Sequence, residues 1–366
     1  MKMSQNIPFT FPGMIVWELT EQCNFKCLHC YNLGQNSGRI EFDKEKALDI
    51  CDQLIDLKVR YVLLSGGEVL MCDFWEEIAR KLEDGGVRTG IISNGWLVDK
   101  AMIDRIKATG VDWVCFSLDG AEAVHDKVRQ KGSFQRIMNA LDLLADEDVY
   151  TSISTAMNKL NIQDMEQMYQ VLCAKKANAW QLQLAVPEGA SKINENELIL
   201  DPSQIDTIID FVYDRFRESP VRLYLGDCVG YYNVKEIEVR SSGKAEEMGL
   251  MNFVDGCQAG IGTAGIKANG DFTGCISLSH PFYVAGSVYE RTLLDMWNDP
   301  KSFAWNRYFD KDQLKGDCKE CVYGEYCLSG CPGFKYDDDF NVVENKHCSY
   351  NYAIKQERLK NAGISS

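Results

Sequence analysis

Three cysteines near the N-terminus follow one another as Cys23-x3-Cys27-x2-Cys30. Three thiolates this close in the chain can ligate three irons of a cubane [4Fe–4S] cluster, which leaves the fourth iron without a protein ligand. Short CxxC-type spacings also bind zinc, but a zinc site needs four ligands. His29 lies between two of the cysteines, where the short loop would strain to present it as the fourth ligand. The spacing therefore favours an iron–sulfur cluster with one open coordination site.

Composition limits the class of protein. The 366 residues include 15 cysteines, which we expect to be reduced metal ligands in the cytosol rather than disulfides. The net charge of −15 argues against a nucleic-acid partner, because phosphates attract Lys and Arg. No apolar stretch reaches the ~18 residues of a membrane span, and the N-terminus shows no signal-peptide pattern. We therefore expect a soluble, cytoplasmic protein that binds neither nucleic acid nor membrane.

The first two thirds of the chain alternate strand and helix patterns. This alternation predicts an α/β fold with a parallel sheet, here a partial (β/α)6 barrel of the TIM type. In such barrels the active site lies at the C-terminal ends of the strands. The predicted strands are Met14–Leu19, Tyr61–Leu64, Thr89–Ser93, Asp112–Leu118, Val149–Ala156 and Ala179–Val186.

Apolar residues at helical spacing predict helices between these strands. Asp43 and Ser133 are the expected N-caps of two of them. The predicted helices discussed below are Asp43–Leu57, Ser133–Ala145, Val234–Ala245 and a polar tail helix, Ser349–Ala362.

Polar motifs follow the second and third predicted strands. Gly66 and Gly67 precede Glu68, and glycines let a backbone approach a ligand while a carboxylate accepts hydrogen bonds from an ammonium group. Asn94 follows the third strand in a Ser-Asn-Gly segment, which is also a plain turn signal.

The cysteine triplet combined with this glycine–glutamate motif resembles the radical S-adenosylmethionine (SAM) superfamily. The resemblance implies that the amino and carboxyl groups of SAM chelate the open iron, and that SAM is cleaved to methionine and a 5′-deoxyadenosyl radical. It also implies that the segment Gly66–Glu68 binds the amino group of SAM, with further contacts from Asn94 and, beside the adenine, Val186. The family usually has proline after the glutamate, where this chain has Val69.

Ser117 and Asp119 end the fourth strand on the same side, because side chains alternate along a strand. Their oxygens could bind ribose hydroxyls or the SAM carboxylate, and Arg129 could pair with that carboxylate. The segment from Ser117 to the glycine-serine-phenylalanine beyond Arg129 resembles peptide-modifying members of the superfamily. We expect His125 in this segment to be structural rather than catalytic.

Seven cysteines in the C-terminal third resemble the SPASM domain, which holds two auxiliary [4Fe–4S] clusters. A zinc ribbon could use CxxC pairs but would not need seven cysteines at these spacings. The resemblance implies that one auxiliary cluster is held by Cys318, Cys321, Cys327 and Cys348. It implies that three irons of the other, called here the first auxiliary cluster, are held by Cys257, Cys275 and Cys331.

The fourth iron of the first auxiliary cluster lacks an obvious ligand. Sulfatase maturases carry a cysteine shortly after the first SPASM cysteine, and the corresponding stretch here has none. Cys228 lies in a glycine-flanked loop upstream that can bend towards the cluster. Three alternatives stay open: Cys228 ligates the iron, Cys228 is merely buried, or the iron is open to a substrate thiolate.

The resemblance covers nearly the whole chain. It implies an enzyme that abstracts hydrogen from a peptide or protein side chain to install a thioether, a carbon–carbon crosslink or a related oxidation. The alternatives are formylglycine formation in sulfatases, radical modification of a small molecule or porphyrin side chain, and an electron-transfer protein without catalysis. Sulfatase maturases carry an Asp where this chain has Ile276, which weakens the first alternative. The expected segments are an arm (1–13), the barrel (14–225), a bridging region (226–256), the SPASM domain (257–348) and a helical tail (349–366).

The expected partners are a peptide or protein substrate and a flavodoxin- or ferredoxin-type reductant. Many peptide maturases carry an N-terminal domain of about 80–90 residues that binds a leader peptide by strand addition, and only 22 residues precede Cys23. We therefore expect either a separate leader-recognition protein or direct substrate binding by the barrel and SPASM domain.

Overall fold

A computed structural model describes residues 10–32, 42–226, 228–229, 234–242 and 256–361. Its strands form one ten-stranded sheet in the order β10-β9-β8-β1-β2-β3-β4-β5-β6-β7. The strands are β1 Met14–Glu18, β2 Tyr61–Ser65, β3 Arg88–Ser93, β4 Trp113–Ser117, β5 Tyr150–Met157, β6 Ala179–Leu184, β7 Arg222–Leu225, β8 Thr263–Ile266, β9 Asp271–Thr273 and β10 Val284–Ser287.

Strands β1 to β7 are all parallel to their neighbours, which confirms the partial (β/α) barrel and its six predicted strands. The sequence did not predict β7, a strand of only four residues at the far edge. On the other side, β8 pairs in parallel with β1, with Met14 opposite Thr263. The C-terminal domain therefore extends the barrel sheet, and its β9 and β10 continue that sheet with antiparallel pairing.

Helices connect the strands, and further helices, most of them short, occur in the C-terminal domain. They are α1 Lys44–Asp56, α2 Trp75–Asp84, α3 Lys100–Ala108, α4 Glu122–Val128, α5 Ser133–Leu144, α6 Met165–Ala174, α7 Ala190–Ile193, α8 Glu195–Leu198, α9 Pro202–Tyr213, α10 Val234–Ser241, α11 Leu293–Asn298, α12 Ala304–Arg307, α13 Gly316–Glu320, α14 Gly324–Cys327, α15 Pro332–Lys335 and α16 Ser349–Asn361. The predicted ends of α10 at Ala245 and of α16 at Ala362 lie outside the described residues.

The predicted cap of α1 is confirmed, because the Asp43 carboxylate accepts a hydrogen bond of 2.7 Å from the backbone N–H of Lys46. The predicted cap of α5 is wrong. Gly132 is the N-cap, with a φ of 85° that favours glycine, and Ser133 is already helical. The carboxylate of Asp126 supplies the cap by accepting from the backbone N–H of Gly132 at 2.6 Å and of Phe134 at 3.0 Å.

The two faces of the barrel sheet differ in chemistry. Side chains of one parity, such as Trp17, Val114 and Ile153, are fully buried in the hydrophobic core. Side chains of the other parity line the inside of the barrel, and on β4 to β6 these are mostly polar. None of the helices in the described part of the chain is both long enough and apolar enough to cross a bilayer.

Candidate functional site

The cysteine loop begins where β1 ends and is held against the end of β2. Backbone N–H groups of Gly67 and Glu68 donate to the carbonyls of Thr20 and Gln22 at 2.7 and 2.8 Å. A Cβ atom at Gly66 would lie 2.5 Å from the Thr20 carbonyl oxygen, and one at Gly67 would lie 2.3 Å from that of Gln22. Both positions therefore require glycine, because the backbone of the cysteine loop passes this close. The sequence predicts that these glycines let the backbone approach a ligand, whereas here they let one loop approach the other.

The loop after β6 supports the other end of the cysteine loop. Gly189 has a φ of 56°, and a Cβ atom there would lie 2.5 Å from the Cys30 carbonyl oxygen. The next backbone N–H, of Ala190, donates to that carbonyl at 2.8 Å. Asn194 donates through Nδ2 to the Leu28 carbonyl at 2.9 Å. The sequence did not predict these contacts. The available signal was Gly189, which follows the predicted end of the sixth strand by three residues.

Glu68 is a buried carboxylate beside the cysteine loop, with 1% of its surface exposed. Its oxygens accept hydrogen bonds from the Ser93 hydroxyl at 2.9 Å and from the backbone N–H of Asn94 at 2.8 Å. Burial raises the pKa of Glu68, although these hydrogen bonds lower it. Within the described residues no Lys or Arg forms a salt bridge with it, so the site can accept a cationic group from a ligand.

Cys23, Cys27 and Cys30 form one group of thiols. Burial raises the pKa of Cys23 to about 11 and that of Cys27 to about 12, and Cys30 acts on both in the same direction. Among the described residues, no three His, Cys, Asp or Glu side chains lie close enough to hold a single ion. A cubane instead takes one thiolate for each iron. Since buried thiols ionise beside a metal cation, this donor set fits a cluster better than it fits free thiolates.

Asp119 is fully buried and joins two basic side chains behind this loop. Its Oδ2 lies 2.7 Å from Nε2 of His29 and accepts from Nε of Arg129 at 2.5 Å. Burial alone would raise the pKa of Asp119, but Arg129 and His29 hold it well below its usual value. Arg129 also reaches the cysteine loop, where its Nη1 lies 3.8 Å from Sγ of Cys27.

This network gives Asp119 and Arg129 protein partners that the sequence did not predict. The second Asp119 oxygen accepts from the backbone N–H of Ala156 at 2.8 Å. His125 accepts through Nδ1 from the backbone N–H of Asp119 at 3.0 Å, and burial together with Arg129 lowers its pKa to about 4. A buried neutral imidazole bonded to backbone is consistent with the structural role predicted for His125.

The inside of the barrel between β4 and β6 carries hydroxyl and amide groups. Ser117 lies opposite Ser154 in the register, and Ser154 lies opposite Gln181. Gln183 donates through Nε2 to the Ser154 hydroxyl at 3.3 Å. Although it belongs to a strand with neighbours on both sides, Gln181 is exposed. With Ser117, Ser154 and Gln183 half-buried, this side of the barrel offers accessible, neutral hydrogen-bonding groups.

A second polar group, also missed from the sequence, lies where the barrel meets the C-terminal domain. The Tyr31 hydroxyl donates to the buried Glu18 carboxylate at 2.9 Å, and the backbone N–H of Ala268 lies 3.3 Å from the other Glu18 oxygen. Burial raises the pKa of Tyr31, and Glu18, Cys30 and Cys275 raise it further. Tyr31 thus lies near a cysteine of the first loop and a cysteine of the C-terminal domain.

The C-terminal cysteines fall into two groups, and the thiols within each group interact electrostatically with one another. Burial raises the pKa of Cys331, and the neighbouring thiols of Cys257, Cys228 and Cys275 raise it further. Burial likewise raises the pKa of Cys327, and the thiols that add to this are Cys348, Cys318 and Cys321. The structure therefore brings Cys228 together with the three cysteines expected to hold the first auxiliary cluster.

Neighbouring groups fix both sets of thiols. The backbone N–H of Leu184, at the end of β6, donates to Sγ of Cys228 at 3.2 Å. In the tail helix α16, Asn351 donates to Sγ of Cys348 at 3.5 Å through its backbone and to Sγ of Cys318 at 3.8 Å through Nδ2. The tail helix thus donates hydrogen bonds to two thiols of the second group.

Two further predicted positions lie beside the first of these groups. A Cβ atom at Gly333, two residues beyond Cys331, would lie 3.5 Å from Val186. Ile276 packs its side chain against Gly265 and accepts a hydrogen bond of 3.0 Å from Nζ of Lys267 through its carbonyl. The position that holds an Asp in sulfatase maturases is therefore apolar here.

Comparison with known proteins places these features in context. Residues 17–172 match the family model of the radical SAM superfamily, and residues 257–322 match that of SPASM, an iron–sulfur cluster-binding domain. The chain is 27% identical to an AdoMet-dependent heme synthase of Methanosarcina barkeri, over 93% of this chain and 97% of that protein. It is 26% identical to the mycofactocin maturase MftC of Mycolicibacterium smegmatis, over 89% of this chain and 79% of that protein.

Solved structures confirm the fold. SuiB of Streptococcus suis bound to S-adenosylmethionine superposes with a TM-score of 0.71 at 17% identity, covering 93% of this chain and 77% of that one. The AdoMet-bound enzyme anSMEcpe superposes with a TM-score of 0.70 at 17% identity, covering 95% of this chain and 98% of that one. The family models and the fold together confirm the expected [4Fe–4S] clusters and SAM as cofactors.

Proposed function

We propose that this chain, which is a radical SAM enzyme with a C-terminal SPASM domain, modifies a side chain of a peptide or protein. When bound, the radical cluster and SAM supply a 5′-deoxyadenosyl radical that abstracts a hydrogen atom from the substrate. The observation that carries the proposal of a peptide is the set of accessible, neutral hydrogen-bonding side chains inside the barrel, Ser117, Ser154, Gln181 and Gln183.

In this proposal Cys23, Cys27 and Cys30 hold the radical cluster. Glu68 receives the ammonium group of SAM, because it is a buried carboxylate that forms no salt bridge with the described residues, and a charge-assisted hydrogen bond would offset the cost of its burial. Asn94 lies beside it and orients Asn24 through a hydrogen bond of 2.8 Å from Nδ2.

The remaining predicted contacts divide between direct and supporting roles. Asp119 orients Arg129, whose guanidinium lies next to Cys27 and can bind the SAM carboxylate with the nitrogen atoms that Asp119 does not use. Ser117 remains the candidate for a ribose hydroxyl. Val186 contacts α15 as well as the barrel rim, which is compatible with its predicted place beside the adenine.

For the auxiliary clusters we propose full protein ligation. One cluster takes Cys318, Cys321, Cys327 and Cys348. The first auxiliary cluster takes Cys228, Cys257, Cys275 and Cys331, a set supported by the electrostatic interaction of Cys331 with the other three thiols. Of the alternatives left by the sequence, ligation by Cys228 is therefore the one that the surroundings of Cys331 favour.

The interior groups suit a peptide because they can donate to and accept from backbone amides without charge. A porphyrin with carboxylate side chains would be bound better by Arg and Lys. The maturase relative MftC, which the chain matches along most of its length, supports this substrate class. We further propose a flavodoxin- or ferredoxin-type reductant and, for substrates that carry a leader, a separate leader-recognition protein.

One observation favours a second candidate function. The chain matches an AdoMet-dependent heme synthase over 93% of its own length and 97% of that protein. Radical modification of a porphyrin side chain is therefore the alternative to be tested beside the peptide.

The test is anaerobic incubation of the reconstituted enzyme with SAM, a reductant and one of two probes. The probes are synthetic peptides for any short reading frames that flank its gene, and iron-coproporphyrin III. We expect 5′-deoxyadenosine formation to rise with a peptide, and the peptide to lose hydrogen by mass spectrometry. Turnover of the iron porphyrin alone would overturn the peptide proposal in favour of the alternative.

A pair of variants locates the substrate. Gln181→Leu removes an amide inside the barrel and should reduce peptide modification while SAM cleavage without peptide is unchanged. Gln135→Leu, on the exposed face of α5, is the matched control and should behave as wild type. Equal peptide turnover by both variants would argue against peptide binding at β6.

A further inference from the structure

Lys335 is a buried lysine at the end of α15, the helix that follows Cys331, the last cysteine of the first auxiliary set; burial lowers the pKa of Lys335 to about 8, and the neighbouring thiols oppose that shift. Its exposed fraction is 0%. Among the described residues, its Nζ has no hydrogen-bond partner. An ammonium group buried without an acceptor is costly, and native structures rarely keep one unless something absent from the protein chain accepts its hydrogen bonds.

The surroundings of Lys335 show where such an acceptor would lie. The thiols of Cys257, Cys331 and Cys327 interact electrostatically with its ammonium group, in that order of strength. Cys257 and Cys331 belong to the first auxiliary set, and Cys327 belongs to the other one. Cys331 is the N-cap of α15 and Lys335 lies four residues further on, so one helical turn separates Lys335 from a cysteine of the first auxiliary set.

The rest of the environment does not supply an acceptor. Nζ of Lys335 lies 4.0 Å from the centroid of the Phe309 ring and 5.6 Å from that of Tyr336. A ring face attracts a cation, but it covers one side of the ammonium group and leaves other N–H directions unused. The sulfur atoms of an iron–sulfur cluster are the acceptors that cysteines at this place would bring.

We propose that Lys335 donates a hydrogen bond to a sulfur of the first auxiliary cluster and raises the reduction potential of that cluster. Reduction adds one negative charge to a cluster, and a nearby cation stabilises the reduced state more than the oxidised state. The potential therefore rises, and the cluster becomes a better electron acceptor. The inference rests on the ligand sets proposed above.

The test measures midpoint potentials of the auxiliary clusters in the full-length reconstituted enzyme by redox titration with EPR detection. Lys335→Met keeps the length of the side chain and removes its charge. We expect the reduction equilibrium constant of the first auxiliary cluster to fall by about tenfold or more, which is about 59 mV for one electron. Lys335→Arg should restore most of the potential.

Lys319→Met is the matched control, because Lys319 is exposed on α13 beside a cysteine of the other set. It should leave both potentials unchanged. A Lys335→Met protein with full iron content and wild-type potentials would overturn the proposal, as would equal shifts in the two Met variants.

If Lys335→Met does not assemble the first auxiliary cluster, its potential cannot be measured, and iron content then provides the test. Loss of auxiliary iron in Lys335→Met but not in Lys335→Arg would support the charge as a requirement for assembly. Loss in both variants would overturn the proposal, because shape and not charge would then be needed. Cys257→Ala tests the proposed ligand set separately from the proposed role of Lys335. If this variant keeps all its auxiliary iron, the ligand assignment is wrong, whatever the Lys335 variants show.

Discussion

Replacing Asp119 by Asn removes one charge from the buried network behind the cysteine loop. Asp119 has no exposed surface, and its carboxylate accepts from Arg129 and lies 2.7 Å from His29. The amide can still accept from the backbone N–H of Ala156, so the shape of the site is kept. Because the NH2 group of Asn then faces the Nε–H of Arg129, the change removes both the charge and the hydrogen-bond acceptor opposite the guanidinium.

The expected cost follows from what stays behind. Arg129 keeps its charge, and its side chain is only 11% exposed. Removing one partner from a buried ion pair typically costs about 3–5 kcal/mol, because the other charge is left uncompensated. The exposed pair Arg88–Asp112, with side chains 58% and 50% exposed, provides the comparison. Asp112→Asn should cost about 0.2–1 kcal/mol.

Urea unfolding of the metal-free protein under reducing, anaerobic conditions measures both free energies, with tryptophan fluorescence as the signal. Iron content after reconstitution is a second measurement. Asp119→Asn should lose iron from the radical cluster, since Arg129 Nη1 lies 3.8 Å from Cys27 Sγ. If Asp119→Asn costs no more than Asp112→Asn and keeps all its iron, the network does not support the loop.

Three further predictions concern the cofactors. Replacing Cys23, Cys27 and Cys30 together with Ala should abolish SAM cleavage, measured as 5′-deoxyadenosine, and leave roughly two thirds of the iron; complete iron loss would mean that the clusters are not independent. Glu68→Gln should weaken SAM binding in calorimetry by ~1.5–3 kcal/mol with clusters intact, and unchanged affinity would refute its role. Cys228→Ala should change the Mössbauer spectrum of the first auxiliary cluster, whereas an unchanged spectrum with full iron would leave the open-site alternative.

The sequence predicted the parts of the fold that depend on local pattern. Six strands were found because each is an apolar run followed by a helix with regular spacing, as in β1 and α1. The short strand β7 and the pairing of β8 with β1 were not found. Four residues give too little periodicity, and a pairing between residues 14 and 263 leaves no local mark.

The candidate site likewise contains features that a local sequence pattern predicts and features that depend on contacts between distant segments. Spacing alone grouped Cys23, Cys27 and Cys30, because the ligands lie within one loop. The contact of Asp119 with His29 and Arg129 joins three segments of the chain, and it gave no signal in the sequence. For the same reason Lys335 was overlooked, since its meaning comes from burial and not from its neighbours in sequence.

The central claim is that the barrel presents a peptide C–H bond to the radical formed from SAM. Isotope transfer tests it most directly: the peptide that the enzyme modifies is produced with deuterium on its side-chain carbons and incubated anaerobically with the enzyme, SAM and reductant. We predict that deuterium appears in the 5′-deoxyadenosine that accompanies peptide modification. 5′-Deoxyadenosine that remains free of deuterium while the peptide is modified would contradict the account.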